Sequence, residues 1–397
     1  MIYDIFFSIC QTEVDGYIPS ERQMFLNFFD QVKLADKLGF KTAWVAETHL
    51  SSQVQKTNKN PVIPDFKGEI GLNTDILQLA HKIFSVTKNI NVGSAIKNIL
   101  CNGGPLAHAE AIKTFLTLHS LNENEKRLIE IGFASGRFEF SNRPYGIYPR
   151  NYLEELVWKI LKGKIFLQAT EIFLRGLRGD IFSSDDLEKQ YITKEDFRTE
   201  EEYNNFIKIY GKDKFEVESF WKFEKVGIIP FEAPLDLLRL TIGSHDKKAQ
   251  IFANKFLPCG VFNLSITPDK EIEETHERMK KYYNNSKNNW NRALMPRTVL
   301  IFTSNNKTLS LDSNRKIASE KANKAIANYW KAMEGTLDIE KVNKAVNNAL
   351  VGTIEDIKEQ IESRFNKDDR LMLWFDFNNH NNEEVKQNII DFSKIIS

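Results

Sequence analysis

Cysteine is scarce in this sequence of 397 residues, which contains only three: Cys10, Cys101 and Cys259. They are odd in number and far apart, and no Cys-x-x-Cys pair occurs, so neither a disulfide framework nor a zinc site is indicated. The sequence also lacks the His-Glu-x-x-His pattern of zinc hydrolases and the Gly-x-Ser-x-Gly turn that carries a serine nucleophile. We therefore expect a protein of a reducing compartment, with no metal centre and no hydrolase chemistry.

Charge of one sign is not in excess either, because Lys+Arg and Asp+Glu number 54 each and the formal net charge is +0. An excess of positive charge is what neutralises a phosphate backbone or an anionic bilayer, so nucleic acid and membrane surfaces are not expected as partners. No apolar run approaches the roughly 20 residues that cross a bilayer, and the first residues lack the basic region of a secretory signal. These absences predict a soluble, cytoplasmic protein.

What the sequence does contain is an alternation of short apolar runs with amphipathic segments. Eight strands are predicted, over residues 3–9, 42–46, 90–95, 127–134, 238–242, 261–266, 297–303 and 370–375. Most are apolar on both faces, as strands of a parallel sheet covered by helices must be. Eight such strands alternating with helices favour an α/β protein with a closed (β/α)8 TIM barrel. A doubly wound open sheet is the alternative, disfavoured because no Gly-x-Gly-x-x-Gly or Walker sequence follows the first strand.

Glycine and proline mark the ends of two predicted helices. The first helix is expected to end at Leu38, since Gly39 suits a left-handed C-terminal cap. A later helix is predicted to open at Gly104-Pro105, because a proline in the first helical position costs no hydrogen bond, and to run to about Leu121.

The chain is predicted to form one domain over residues 1–397, since no low-complexity linker divides it. Two stretches interrupt the alternation: a polar and aromatic one between the fourth and fifth strands, over about 163–234, and a charged, Asn-rich one over about 270–291. The first is too long for an ordinary loop, so an ordered insertion over one end of the barrel is predicted. Four of its aromatic residues are candidates for the lining of a substrate pocket, with burial in the core as the alternative: Phe166, Phe173, Phe220 and Trp221.

Five blocks of sequence occur in a recognisable order. They are TAWVAETHL at the second strand, INVGSAIKNILCNGGPLAHAEAIKTFLTLHSL at the third, KRLIEIGFASGRFEFSNRPYGIYPRNYLEELVW at the fourth, LRLTIGSHDKKAQIFANKFLPCG at the fifth and ALVGTIEDIKEQIESRF near the end. Together they resemble the bacterial-luciferase-like flavin-dependent monooxygenases over nearly the whole chain outside the two interruptions. The resemblance implies a TIM barrel and a flavoprotein oxidoreductase that holds FMN at the C-terminal ends of its strands.

The resemblance also implies which residues line the flavin. Ser94 and Ala95 end the third strand, where the family brings small side chains, often with a cis peptide, against the isoalloxazine ring. Ser135 and Gly136 follow the fourth strand, where the family again lines the ring. Luciferase itself has a cysteine and an arginine in this neighbourhood, and here these are Ala134 and Ser135. A flat ring needs close approach of the backbone, although a tight strand-to-loop corner explains small residues equally well.

A second set of residues is implied for the flavin phosphate. Gly243-Ser244-His245 precedes a helix whose unpaired N–H groups and dipole favour an anion, and the alternative is that Ser244 only caps that helix. Arg150 matches the family arginine that reaches the phosphate, where a guanidinium can bind two oxygens. Arg137 and Arg143 are its rivals, and arginines of this kind more often form structural ion pairs or remain solvated.

The segment after the second strand, Glu47-Thr48-His49, is the candidate catalytic motif. Light-emitting luciferases have two adjacent histidines after this glutamate; here Thr48 replaces the first and His49 matches the second. A histidine can move protons near neutral pH, so His49 is the predicted catalytic residue, with a structural hydrogen bond as the alternative. Light emission is not expected. The remaining histidines are interpreted as structural or surface residues: His81, His108, His119, His276 and His380.

Three functions are left open. The leading hypothesis is a monooxygenase that uses molecular oxygen and reduced FMN, supplied by a separate flavin reductase or by diffusion, on a small organic substrate. The second is an oxidoreductase that uses the deazaflavin F420 for hydride transfer, because relatives share the same barrel. The third is a non-catalytic flavin-binding or partner subunit, to which the missing histidine points. A homodimer is expected, and the sequence does not identify the substrate.

Overall fold

The computed structural model describes residues 1–335 and 338–396, and its centre is a parallel sheet of nine strands. The strands are β1 (Ile2–Phe7), β2 (Thr42–Val45), β3 (Asn91–Asn98), β4 (Ile129–Ala134), β5 (Leu238–Ile242), β6 (Cys259–Val261), β7 (Arg297–Thr303), β8 (Leu350–Gly352) and β9 (Arg370–Trp374). Most of their residues are buried, which is why the sequence runs are apolar on both faces. The predicted α/β class with a parallel sheet is confirmed.

The sheet curls, so that its order is β6-β5-β4-β3-β2-β1-β9-β7-β8. Its two sides meet just beyond the end of β6, where Asn263 forms a bridge with Arg297 at the start of β7. There the Asn263 amide donates to the Pro296 carbonyl at 2.9 Å, and the Thr298 amide donates to the Asn263 carbonyl at 3.0 Å. The ring is therefore joined at this point by a single bridge and not by a full ladder.

Helices connect the strands. They are α1 (Glu21–Lys37), α2 (Ile76–Val86), α3 (Gly104–His119), α4 (Trp158–Arg178), α5 (Glu200–Tyr210), α6 (Lys247–Ala253), α7 (Asp269–Tyr282), α8 (Leu311–Glu334), α9 (Ile339–Asn348), α10 (Ile354–Arg364) and α11 (Asn382–Ile396), with short helical turns at Glu139–Asn142 and Tyr152–Leu156. Gly39 follows α1 with φ +89°, and α3 begins at Gly104, both as predicted. In the described ranges, no helix combines the length and the apolarity needed to cross a bilayer.

One strand prediction is wrong. The sequence predicts the sixth strand over 261–266, but β6 covers Cys259–Val261, and beyond the bridge at Asn263 the chain leaves the sheet. The apolar side chains that suggested a longer strand, among them Phe262, Leu264 and Ile266, line a cavity instead of facing a neighbouring strand. Apolar residues on a cavity wall and in a buried strand give the same sequence pattern.

The interpretation of 270–291 as an interruption is also wrong for most of its length. Residues Asp269–Tyr282 form α7, which connects β6 and β7 as the helices of a β/α fold do. Its buried residues Ile272, Thr275 and Met279 follow helical spacing, and its charged residues are mostly on the exposed face. Only the Asn-rich loop after it departs from the regular alternation.

Between β4 and β5 the chain forms α4, α5 and two short antiparallel ladders. The ladders pair Ile181–Phe182 with Val226–Gly227 and Tyr191–Ile192 with Phe215–Glu216. The helix α4 packs closely on α3, since a Cβ on Gly176 would lie 3.2 Å from Cβ of Ala109. Residues 163–178 therefore belong to the layer of helices around the sheet, and the additional material follows them.

Candidate functional site

A cavity of about 590 Å³ opens at the C-terminal ends of the strands. Its lining comes from β1, from the ends of β2 to β5 and the segments after them, from the segment after β6, and from β7, β9 and α8. This is the face where β/α barrels carry their active sites, and the volume lies within the range of about 300–1,000 Å³ typical of ligand pockets. A second cavity, of about 410 Å³, lies at the opposite ends of the strands, near Ile2, Leu128 and Leu238. That face of such folds serves stability, so we place the candidate site in the first cavity.

One wall of the cavity consists of small residues and exposed backbone. Ala95 and Ile96 are joined by a cis peptide bond, which the family resemblance led us to expect. Gly243 lies against them, because a Cβ on this residue would be 2.3 Å from Cδ1 of Ile96. Gly136 has φ +76°, and a Cβ there would be 2.2 Å from Nδ2 of Asn98. Neither glycine leaves room for a side chain, so the backbone stays accessible along this wall.

A second wall is aromatic and extends from β1 to α8. Its ring centroids follow one another at 4.5 Å for Phe6 and Trp374, 4.7 Å for Trp374 and Phe377, 5.1 Å for Phe377 and Tyr329, and 5.7 Å for Tyr329 and Trp330. Aromatic pairs in proteins interact at about 4.5–7 Å, so the five rings form one continuous array. Nε1 of Trp374 is buried and has no hydrogen-bond partner among the described residues.

A buried ion pair lies beside the cavity at the ends of β2 and β3. Nζ of Lys97 donates to both carboxylate oxygens of Glu47 at 3.2 Å, and the two side chains are 3% and 0% exposed. Nε2 of His49 lies 3.2 Å from Oε1 of Glu47, and the amide of Ile76 donates to Oε2 at 3.3 Å. Burial by itself raises the pKa of the Glu47 carboxyl, but the Lys97 ammonium and the contact with His49 outweigh it and hold that pKa below its usual range.

His108 and Cys101 lie near this ion pair and stay uncharged. Nε2 of His108 lies 3.0 Å from the Cys101 carbonyl oxygen. Burial, together with the nearby Lys97 ammonium, lowers the pKa of His108 to about 4. Burial and the negative charge of Glu47 raise the pKa of the Cys101 thiol to about 12. Neither side chain therefore adds charge beside Glu47 and Lys97.

Arg137 is the arginine that lines the cavity. It is exposed, its guanidinium carbon lies 5.3 Å from the ring centroid of Phe138, and it forms no ion pair with a described acidic residue. It lies close enough to Tyr329 to lower the pKa of that hydroxyl, although burial raises this pKa overall. A positive charge at the edge of an otherwise apolar cavity is suited to an anionic group of a ligand.

Of the nine site residues named from the sequence, five line this cavity: His49, Ala95, Ser135, Gly136 and Gly243. Ser94 does not, because its side chain is fully buried within β3, where Oγ has no hydrogen-bond partner among the described residues. Whether these residues bind a cofactor stays a prediction.

Arg150 is engaged elsewhere and does not line the cavity. Its Nη2 and Nε donate to Oε1 of Glu154 at 2.6 and 2.9 Å, and its Nη1 donates to the Ser219 carbonyl at 3.2 Å. The guanidinium also stacks on Phe220, with 4.0 Å to the ring centroid. A contact between Arg150 and a phosphate requires these interactions to break, and it stays a prediction.

Ser244 and His245 lie beyond the lining of the cavity. The Asp246 amide donates to Oγ of Ser244 at 3.2 Å, and Asp246 itself caps α6 by accepting from the Lys248 amide at 2.9 Å. Nδ1 of His245 lies 3.3 Å from Glu271 on the exposed surface. The alternative interpretation, in which Ser244 only caps this helix, is therefore wrong, since the carboxylate two residues later caps it.

The four aromatic residues proposed as pocket lining serve other purposes. Phe166 and Phe173 are buried against Phe133, with ring centroids 6.4 and 5.4 Å apart. Phe220 lies under Arg150, and Nε1 of Trp221 would be 2.9 Å from a Cβ on Gly104. None of the four lines this cavity, so that prediction is wrong. The aromatic wall was missed because its members belong to separate segments: Phe6, Tyr329, Trp330, Trp374 and Phe377.

Comparison with solved structures identifies the fold. The chain is similar to the monooxygenase RslO1 from Streptomyces bottropensis, with a TM-score of 0.68 and 14% identity over 99% of this chain and 98% of that one. For the oxygenating constituent of 3,6-diketocamphane monooxygenase from Pseudomonas putida, in complex with FMN, the TM-score is 0.57 and the identity 12%, over 98% of this chain and 96% of that one. For an F420-dependent secondary alcohol dehydrogenase with an F420-acetone adduct, the TM-score is 0.54 and the identity 14%, over 99% of this chain and 97% of that one. No protein-family model and no curated protein matches the sequence.

At 12–14% identity these similarities establish the fold and not the chemistry. Two of these neighbours are named as monooxygenases and one as a dehydrogenase, and each is matched over nearly its whole length. The resemblance to the bacterial-luciferase-like proteins that the five sequence blocks predicted is thus confirmed at the level of the fold.

Proposed function

We propose that the protein is a flavin-dependent oxidoreductase, and specifically a monooxygenase that uses reduced FMN and molecular oxygen on an organic substrate. The observation that carries the proposal is the cavity wall formed by Ala95, Ile96, Gly136 and Gly243 at the C-terminal ends of the strands. A flat ring system requires close approach of backbone on one face, and these residues leave that space free.

The residues present fit such a cofactor in three respects. The glycine-rich wall and the aromatic wall give the ring an apolar slot of sufficient volume. Arg137 supplies a positive charge at the cavity edge for a phosphate. Glu47 and His49 supply polar groups beside the slot. Ser135, Ser244, His245 and Arg150 remain the further cofactor contacts that the family resemblance implies.

Bound reduced FMN supplies the electrons with which oxygen is activated. The protein's own part is to exclude water and to handle protons. The apolar lining keeps water away from reactive species, which limits their unproductive loss. His49, buried yet lining the cavity, is placed to accept or return a proton at Nδ1, with which no described residue forms a hydrogen bond.

Two further proposals concern partners. The diketocamphane enzyme is described as an oxygenating constituent, which supports supply of reduced flavin by a separate reductase. We also propose that the protein forms a homodimer.

Use of F420 is the second candidate function, supported by the similarity to an F420-dependent dehydrogenase.

The proposal is tested by titrating the purified protein with FMN, with anaerobically reduced FMN and with F420, each followed by its absorption and fluorescence. We expect reduced FMN to bind, and oxygen to be consumed when a substrate is added. If F420 binds and FMN binds in neither redox state, the protein would instead be assigned as an F420-dependent oxidoreductase that transfers hydride. Tight flavin binding with no oxygen consumption for any substrate would favour a flavin-binding partner subunit.

A further inference from the structure

We propose that Lys97 is a positioning residue that fixes the tautomer of His49, so that Nε2 carries the proton and Nδ1 is the acceptor available at the cavity. The inference deepens the proposed function, because it takes His49 as the residue that handles protons beside the cofactor. Lys97 belongs to none of the residues singled out from the sequence, and the family resemblance gave it no role.

The contacts of Glu47 define the geometry. Its carboxylate receives the Lys97 ammonium on both oxygens at 3.2 Å, and Nε2 of His49 lies 3.2 Å from Oε1. All three side chains are nearly or fully buried, at 0% exposure for Glu47, 3% for Lys97 and 6% for His49. Water therefore cannot replace any one of the three contacts without a change in structure.

The direction of the His49 hydrogen bond depends on the charge of Glu47. A carboxylate only accepts hydrogen bonds, so an ionised Glu47 requires a proton on the Nε2 that faces it. A protonated carboxyl can donate, and it would then favour the opposite tautomer, with the proton on Nδ1. The ammonium of Lys97 is what keeps the buried carboxyl ionised, since burial without it favours the neutral form.

Other groups near the pair do not take over this role. Among the described residues, the side chains that contact the Glu47 carboxylate are those of Lys97 and His49. His108 is neutral and its Nε2 is taken by the Cys101 carbonyl, so it adds no lasting positive charge. Removal of the Lys97 charge should therefore favour the protonated form of the Glu47 carboxyl.

The consequence is a defined proton acceptor at the cavity. No described residue forms a hydrogen bond with Nδ1 of His49, and His49 lines the cavity. With its proton on Nε2 and the charge of Glu47 behind it, the ring can accept a second proton at Nδ1 and hold it as an imidazolium, as a carboxylate-oriented histidine does.

The test is the tautomer of His49 in the flavin-free full chain. Protein labelled with ¹⁵N only in histidine is examined by long-range proton–nitrogen correlation, and the His49→Phe variant identifies the signals. In the unsubstituted protein we expect the Nε2–H form in at least about tenfold excess, because a hydrogen bond to a charged acceptor is strong. Lys97→Met should reduce this excess several-fold or reverse it, and Lys97→Arg should restore it.

Two outcomes would overturn the inference: a dominant Nδ1–H form in the unsubstituted protein, or an unchanged tautomer in a folded Lys97→Met variant. If Lys97→Met does not fold, the result for the unsubstituted protein and for Lys97→Arg still decides. Because no flavin is present, failure here is distinguishable from failure of the proposed function, which is decided by the titration with FMN.

Discussion

The guanidinium of Arg370 binds the Glu130 carboxylate through two parallel hydrogen bonds, Nη1 to Oε2 at 2.7 Å and Nη2 to Oε1 at 2.6 Å. The same guanidinium donates through Nε to Asp4 at 2.5 Å. Arg370, Glu130 and Asp4 belong to β9, β4 and β1, so one side chain joins three strands inside the curled sheet. Two buried carboxylates therefore share one guanidinium.

We expect Arg370→Met to destabilise the protein by about 3–5 kcal/mol, because it removes the hydrogen-bonded counter-charge of two buried carboxylates. The measurement is the free energy of unfolding from urea denaturation. Arg315→Met is the matched control, since Arg315 also binds a carboxylate, that of Asp356, but is 48% exposed. It should cost much less than Arg370→Met, because an exposed ion pair contributes little to stability. Equal losses in the two variants would contradict this account of the buried network.

Asp376 should make the stability of the protein fall as pH rises. Burial raises the pKa of its carboxyl from 3.8 to about 7, and the nearby Trp374 indole offsets this only in part. The folded protein therefore keeps a proton that the unfolded chain releases, so the stabilising contribution is complete below about pH 4 and is lost as pH rises through about 7.

The free energy of unfolding of Asp376→Asn, relative to that of the unsubstituted protein, should consequently be higher at pH 8 than at pH 5. We expect this increase to be roughly 1–4 kcal/mol. Urea denaturation at the two pH values measures this difference. Asp312→Asn, at a residue with a 94% exposed side chain, is the control. A difference between Asp376→Asn and the unsubstituted protein that does not change with pH would contradict the burial argument.

A methyl group on Gly243 should narrow the cavity. Its Cβ would lie 2.3 Å from Cδ1 of Ile96, so the Ile96 side chain must move along the wall that we assign to the flavin. Overpacking of this kind costs about 1–3 kcal/mol, and we expect FMN to bind Gly243→Ala at least about tenfold more weakly. Gly163→Ala is the control, because that residue is in α4 with nothing within 4 Å of a new Cβ. It should bind FMN as the unsubstituted protein does.

Arg137 and Arg150 make opposite predictions for the phosphate of FMN. If Arg137 binds it, Arg137→Gln should lower the affinity for FMN at least about tenfold. The affinity for riboflavin, which has no phosphate, should stay unchanged. Arg150→Gln should then alter stability through the lost contact with Glu154 more than it alters the ratio of FMN to riboflavin affinity. Arg143→Gln, on the exposed surface, is the control. A loss of FMN preference in Arg150→Gln alone would restore the assignment made from the sequence.

Much of the sheet could be predicted from the sequence. The bounds expected for β5 and β7, 238–242 and 297–303, are those observed, because both runs are apolar and end at residues that leave the sheet. The short strand β8 was not found, since its three residues end directly before Thr353, the residue that caps α10. Strands this short are formed by pairing with a neighbour, here β7, and pairing is not visible in one segment of sequence.

The site could be predicted where it depends on the type of residue at a strand end. It could not be predicted where it depends on contacts between side chains that are distant in the sequence. Small residues at strand ends identified Ala95, Gly136 and Gly243. The spacing of Arg150 and Glu154, four residues apart, is a signal for an ion pair that could have favoured Arg137. Lys97 was visible only as a charge near the end of a strand, because its partner Glu47 follows a different strand, β2.

The most direct test of the central claim is a crystal structure of the protein soaked with FMN. We predict that the isoalloxazine ring lies against Ala95 and Ile96, beside Gly243, with its phosphate towards Arg137. FMN bound at the opposite ends of the strands, or a cavity without FMN at saturating concentration, would contradict the account.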